Sequence, residues 1–99
     1  MNDIISQFLK SKGLNSKYRG FNQMKSILSS WDETLEKGKF LNKIAVLHGL
    51  HYYQLRKNIV KVLVMANLVE LSKMKLIDIC NLLYEELQMY KGAESYAIK

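Results

Sequence analysis

Apolar side chains recur at three- and four-residue steps along most of this chain. That period belongs to helices packed by one face, because a half-buried strand needs strict alternation. Ile4, Ile5, Phe8 and Leu9 share one stripe, and Gly13 after Lys10 and Lys12 is a C-terminal stop, so the pattern predicts a helix over 3–12. Asn15 to Gly20 is polar and basic without a period and reads as a loop. Phe21, Met24, Leu28 and Trp31 define a second amphipathic helix, and Ser30-Trp31-Asp32-Glu33 has the Ser-x-x-Glu form of a capping box that breaks or restarts it. Lys37-Gly38 closes that turn. Phe40, Leu41, Ile44, Leu47 and His48 form the next helical face, ended by Gly49. Tyr52 to Ala66 follows, with Leu55, Ile59, Val62 and Ala66 on one side. Leu68-Val69-Glu70-Leu71 is partly β-branched and is expected to be a short strand. From Met74 to Tyr90 the apolar positions are broad enough for a helix buried along more than one stripe, and Gly92 to Lys99 is expected to fray.

A length of 99 residues, with 48% hydrophobic and 24% charged side chains, suits one globular domain and excludes a two-domain enzyme. A chain this short buries a small core, so a second subunit would help to stabilise it. Leu76, Leu83, Leu87 and Tyr90 are the expected homodimer contacts, the alternative being that they pack inside the chain on Ile4, Ile5, Phe8 and Leu9. Cys80 is the single cysteine; it rules out an internal disulfide, points to a reducing compartment such as the cytoplasm, and is expected to be a small core residue. No apolar run reaches the roughly 18 residues of a membrane helix, and Met1-Asn2-Asp3 does not open like a signal peptide.

The charge is distributed unevenly. Lys37, Lys39, Lys43, Arg56, Lys57 and Lys61 occur with no acid between Glu36 and Glu70, while the flanking segments cancel, so the formal charge of +6 lies in this block. A single-sign block in a small domain attracts polyanions, of which nucleic acid is the natural candidate.

Within that block Ala45, Gly49 and Leu55 are spaced four and six residues apart. A small residue at 45 lets a second helix cross closely, glycine at 49 suits a turn with positive φ, and leucine at 55 plugs the angle between two helices. With Ile44 and Leu50 completing the small core, the segment Leu41 to Val60 resembles the helix-turn-helix of DNA-binding regulators. More widely, Ile27-Leu28, Gly38, Ile44, Leu50-His51-Tyr52-Tyr53-Gln54-Leu55-Arg56-Lys57 and Leu68-Val69-Glu70 are similar to the winged-helix modules of small archaeal, archaeal-virus and plasmid regulators. The resemblance covers roughly half of the chain and mostly encodes helix packing. His48 and Asn58 depart from it, and Ser72-Lys73 leaves too little chain for a wing hairpin.

The resemblance implies a mainly α fold, winged-helix-like with a short or missing wing. A single domain over 1–99 would comprise an N-terminal helix and basic loop (1–19), a three-helix core (21–71) and a C-terminal dimerisation helix (74–91). It implies a small dimeric transcriptional regulator that binds double-stranded DNA sequence-specifically, located in the cytoplasm, or in the host cytoplasm if viral. The helix beginning at Tyr52 would enter the major groove, with Tyr53, Gln54 and Lys57 at base edges. Lys39, Lys43, His51, Arg56 and Lys61 would contact phosphates, and Lys73 and Lys75 would stand in for a wing. Val60 and Val64 lie opposite Leu55 and Ile59, where a reading helix is usually polar. That feature supports the alternative, a helical protein-interaction or viral structural or adaptor module that has lost DNA binding.

No catalytic constellation is expected, since Asp32-Glu33 is explained as a cap and there is no glycine-rich phosphate loop. No metal, cofactor or small-molecule substrate is expected either, because His48 and His51 flank a turn without a third ligand nearby.

Overall fold

Asp3 begins the first helix by chemistry that its neighbours supply. Its carboxylate accepts from the Ser6 N–H at 3.1 Å and from the Ser6 hydroxyl at 2.7 Å, capping α1 (Ile4–Ser11). The computed structural model describes residues 3–31 and 36–98, with side chains through Ala93. After α1 come α2 (Arg19–Ser30), α3 (Lys37–Leu47), α4 (Tyr52–Met65), α5 (Val69–Ser72) and α6 (Leu76–Ile98), with no strand among the described residues. The expected mainly α architecture is therefore observed.

Helix α2 is the hub. It buries Phe21, Met24, Ile27 and Leu28 and packs against α1, α3, α4 and α6. Its crossing with α4 is the closest in the molecule's described glycines: a Cβ built on Gly20 would lie 2.3 Å from the carbonyl oxygen of Asn58. Only glycine allows the two backbones to approach so closely. Leu41, Ile44 and Ala45 of α3 and Leu55, Ile59, Val62 and Leu63 of α4 are buried in the same core. Burying each large aliphatic side chain contributes about 1.5–3 kcal/mol, and these rows hold the α2–α3–α4 group together.

The turn between α3 and α4 closes by a Schellman motif. Gly49, at φ +70°, donates to the Val46 carbonyl at 2.9 Å, and Leu50 donates to that of Ala45 at 2.8 Å. The same pair of bonds ends α4 at Asn67, φ +63°, through Asn67 N–H to Val64 and Leu68 N–H to Leu63.

Several expectations change. Lys37 and Gly38, read as a turn, form the first turn of α3. Residues 68–71, expected as a strand, lead into the single helical turn α5, because the described residues offer no neighbouring strand to pair with and the backbone satisfies itself locally. Ser72 donates its N–H to Leu68 at 3.0 Å and its hydroxyl to Val69 at 2.6 Å. With no strand there is no wing among the described residues. Residues Gly92 to Ile98 continue α6 where a frayed tail was expected. The Ser30–Glu33 capping box lies partly outside the described residues.

The expected dimer contacts are corrected most sharply. Leu76, Leu83 and Leu87 are 1% exposed or less within the single chain. Tyr90 sets its ring edge-on to Phe8, centroids 5.6 Å apart, and Lys12, the residue that caps the C-terminal end of α1, pairs with Glu86 of α6. Helix α6 thus packs Leu76, Leu83 and Leu87 into the chain's own core with α1 and α2, so these three are not available to a second copy, while Tyr90 stays half-buried. Trp31 closes the other end: buried, it donates Nε1–H to Asn81 at 3.3 Å and meets Phe40 edge-on at 5.8 Å.

Candidate nucleic-acid interface

The exposed side of α4 meets the loop before α2, and a groove runs between them. At one end Leu50, Tyr53, Gln54, Lys57, Asn58 and Arg19 line a concavity of about 430 Å³. At the other, Lys17, Tyr18, Arg19, Gly20, Asn58 and Lys61 line one of about 220 Å³. The two adjoin at Arg19 and Asn58, directly above the close crossing at Gly20. Among the described residues no acid lines either part.

The loop that supplies Lys17 and Arg19 is shaped rather than slack. Asn15 accepts the Lys17 N–H on its side chain at 2.9 Å and the Tyr18 N–H on its carbonyl at 3.2 Å, an Asx-type turn that leads into α2. Tyr18 then lies beneath Lys61, whose Nζ stands 5.5 Å from the ring centroid.

The residues expected at base edges come together, with differing freedom. Tyr53 is 66% exposed and stacks parallel on His51, centroids 5.9 Å apart and planes 6° from parallel. Lys57 is exposed. Gln54 is engaged: its Oε1 accepts the His51 N–H at 2.9 Å, the returning half of a capping box at the start of α4. A bidentate grip on adenine needs that oxygen together with Nε2–H. Gln54 would have to release the cap to read a base.

The expected phosphate contacts divide. Lys61 lines the groove. Lys43 and His51 are exposed, and Arg56 is half-buried, but none of them lines it. Lys39 is held by Glu36 at 2.8 Å, and Lys73 lies 3.5 Å from Glu70. Lys75 is exposed away from the groove lining. Lys17 and Arg19 are the residues that sequence reasoning missed. They belong to a segment of balanced charge, and nothing in their local pattern announces contact with α4. Gly20 was the available signal, since a glycine opening an amphipathic helix can mark a tight crossing.

Other candidate chemistry is weak. Cys80 is fully buried, and burial pushes its thiol up to about 12, far from a reactive thiolate. Burial also raises Tyr52 above the ordinary phenol range, helped by nearby Cys80 and opposed by Arg56. His48 Nε2 lies 3.2 Å from the Ser26 hydroxyl. No group of three or more His, Cys, Asp or Glu side chains among the described residues is placed to hold a metal ion, and no described helix is long and apolar enough to cross a membrane. Comparison with protein-family models, with curated proteins and with solved structures finds no match to this chain.

Proposed function

We propose that this chain binds double-stranded DNA as a small, sequence-specific transcriptional regulator. In this reading α3, the Gly49 turn and α4 act as a helix-turn-helix, and α4 meets the major groove. The observation that carries it is the acid-free groove, where Tyr53, Lys57 and Lys61 of α4 stand beside Arg19 and Lys17. An elongated concave surface of one sign, with an exposed aromatic residue at the helix end nearest the bases, suits a duplex better than a compact ligand. Tyr53 has the ring for a thymine methyl, and Lys57, one turn further into α4, has donors for a phosphate rather than a base edge. Lys43, Arg56 and Lys61 neutralise backbone charge. Gln54 contributes to reading only at the expense of its cap, which typically stabilises by about 0.5–2 kcal/mol. A homodimer on two half-sites fits the small size of the domain, joined through a surface other than the buried Leu76, Leu83 and Leu87.

Fluorescence anisotropy of a labelled random-sequence duplex at about 50 and 200 mM salt tests the proposal. Binding that falls steeply between those salts supports it; absence of binding at the lower salt refutes it. A second reading, a helical protein-interaction module, is favoured by the exposed apolar side chains Val46, Leu47, Val64, Met65 and Val69, and it takes over if no duplex binds.

A further inference from the structure

We propose that Lys17 and Arg19, with Lys57 and Lys61, form a clamp for one phosphodiester backbone of the duplex, a contact element separate from the base-reading end of α4. This inference rests on the duplex-binding reading above and assigns a site within it. The four cations come from two segments far apart in sequence and line two adjoining concavities that share Arg19 and Asn58. The ion pairs among the described residues use Lys12, Lys25, Lys39 and Lys73 and none of these four. Their mutual repulsion is therefore uncompensated inside the described protein, and an anion laid between them relieves it.

The shape selects the anion. The groove is open and two-part, with cations on both walls and Asn58 in between, so it offers no enclosed pocket for an isolated phosphate. On α4, Lys57 and Lys61 are one helical turn apart, about 6 Å along the axis, and so follow a linear chain of charges. Tyr18 beneath Lys61 and the Asn15 turn before Lys17 hold two of the cations in place before any ligand arrives. Leu50 and Tyr53 at the far end connect the clamp to the start of α4. A backbone lying in the groove thus sets the register of that helix on its bases.

The test compares two double variants of equal charge. Lys17→Gln/Arg19→Gln removes half the clamp; Lys10→Gln/Lys91→Gln removes two exposed cations that do not line it. All four side chains are exposed, and a thermal melt confirms that each variant is folded. Random-duplex anisotropy is measured across about 50–200 mM salt, where each phosphate contact contributes about 0.9 to the slope of log K against log salt. The clamp variant is expected to lose about 2 from that slope, so its affinity falls about tenfold less than wild type over this range, while the control keeps the wild-type slope. Equal slopes in the two variants overturn the clamp and leave duplex binding standing. Failure of the wild type to bind at the lower salt overturns the duplex reading, and the clamp with it.

Discussion

Replacing Gly20 with alanine puts a methyl group where the backbone of α4 already stands. The added Cβ would lie 2.3 Å from the Asn58 carbonyl oxygen, 2.8 Å from its carbon and 3.1 Å from Val62 Cγ1. Two of these three atoms are backbone, so no rotamer change clears the space, and α2 must shift off α4 by something near an ångström. Overpacking of this kind costs about 1–3 kcal/mol and occasionally more. Contacts of 2.3 and 2.8 Å to backbone atoms put the strain at the upper end of that range, so after the about 1 kcal/mol that alanine gains over glycine in a helix a net loss of about 2 kcal/mol remains. For a domain of this size that lowers Tm by about 8–16 °C. Gly38→Ala is the matched control, since nothing stands within 4 Å of its Cβ and it lies in the first turn of α3; it should be neutral or stabilising by up to about 1 kcal/mol. Circular dichroism melts of the two variants measure both effects. The displacement also moves Arg19 and Lys17 away from Lys57 and Lys61, so Gly20→Ala should bind duplex more weakly than Gly38→Ala at temperatures where both are folded. A Gly20→Ala protein that melts at or above the wild-type temperature would refute the tight crossing and the groove built on it.

Three further outcomes are expected. Gln54→Ala should lower stability by about 0.5–1 kcal/mol through loss of the bond to the His51 N–H, whereas Gln54→Glu, which keeps an acceptor oxygen at that position, should not; equal melting temperatures in both would show that the cap contributes nothing. Cys80 should resist a thiol-specific disulfide reagent at pH 8 in the native protein and react stoichiometrically in guanidinium, so prompt reaction of the native protein would contradict its burial. The Lys25 ammonium, with the Ser6 hydroxyl and N–H, holds the Asp3 carboxyl at about 2 against an ordinary 3.8. Because the folded value is the lower one, this group's contribution is full above pH 4 and is lost as pH falls from about 4 to 2. The melting-temperature gap between wild type and Asp3→Asn should therefore close across that window, modestly and less at high salt since the pair is exposed; a gap that does not narrow with acid contradicts the pairing.

The positive charge that suggests duplex binding is arranged differently along the chain and across the surface. The acid-free block from Lys37 to Val69 marks the charge, yet only part of it lines the groove, and the groove takes half of its cations from outside the block. Lys39, inside the block, is partly neutralised by Glu36 one helical turn away. Charge along a chain is legible without coordinates. Charge across a surface depends on which segments touch.

The features legible in the residues alone are local ones. The helical period placed α1, α2, α3, α4 and α6, because each apolar face is written within a few turns, and Gly49 marked the end of α3, because a left-handed residue there satisfies the orphan carbonyls of the last turn. The burial of Ala45 and Leu55 followed from the same spacing. Tertiary structure decided the rest. Residues 68–71 carry β-branched character, but a strand exists only when another strand accepts its hydrogen bonds, and none is present among the described residues. The apolar row of α6 was expected to meet a second copy, and instead Leu76, Leu83 and Leu87 lie in one core with the chain's own Phe8 and Leu9. Gln54 carries the same amide whether it caps or reads, and its bond to His51 assigns it to the cap. Lys17 and Arg19 come to line the groove only because Gly20 lets α2 press against Asn58, a contact between residues nearly forty positions apart that no local pattern encodes.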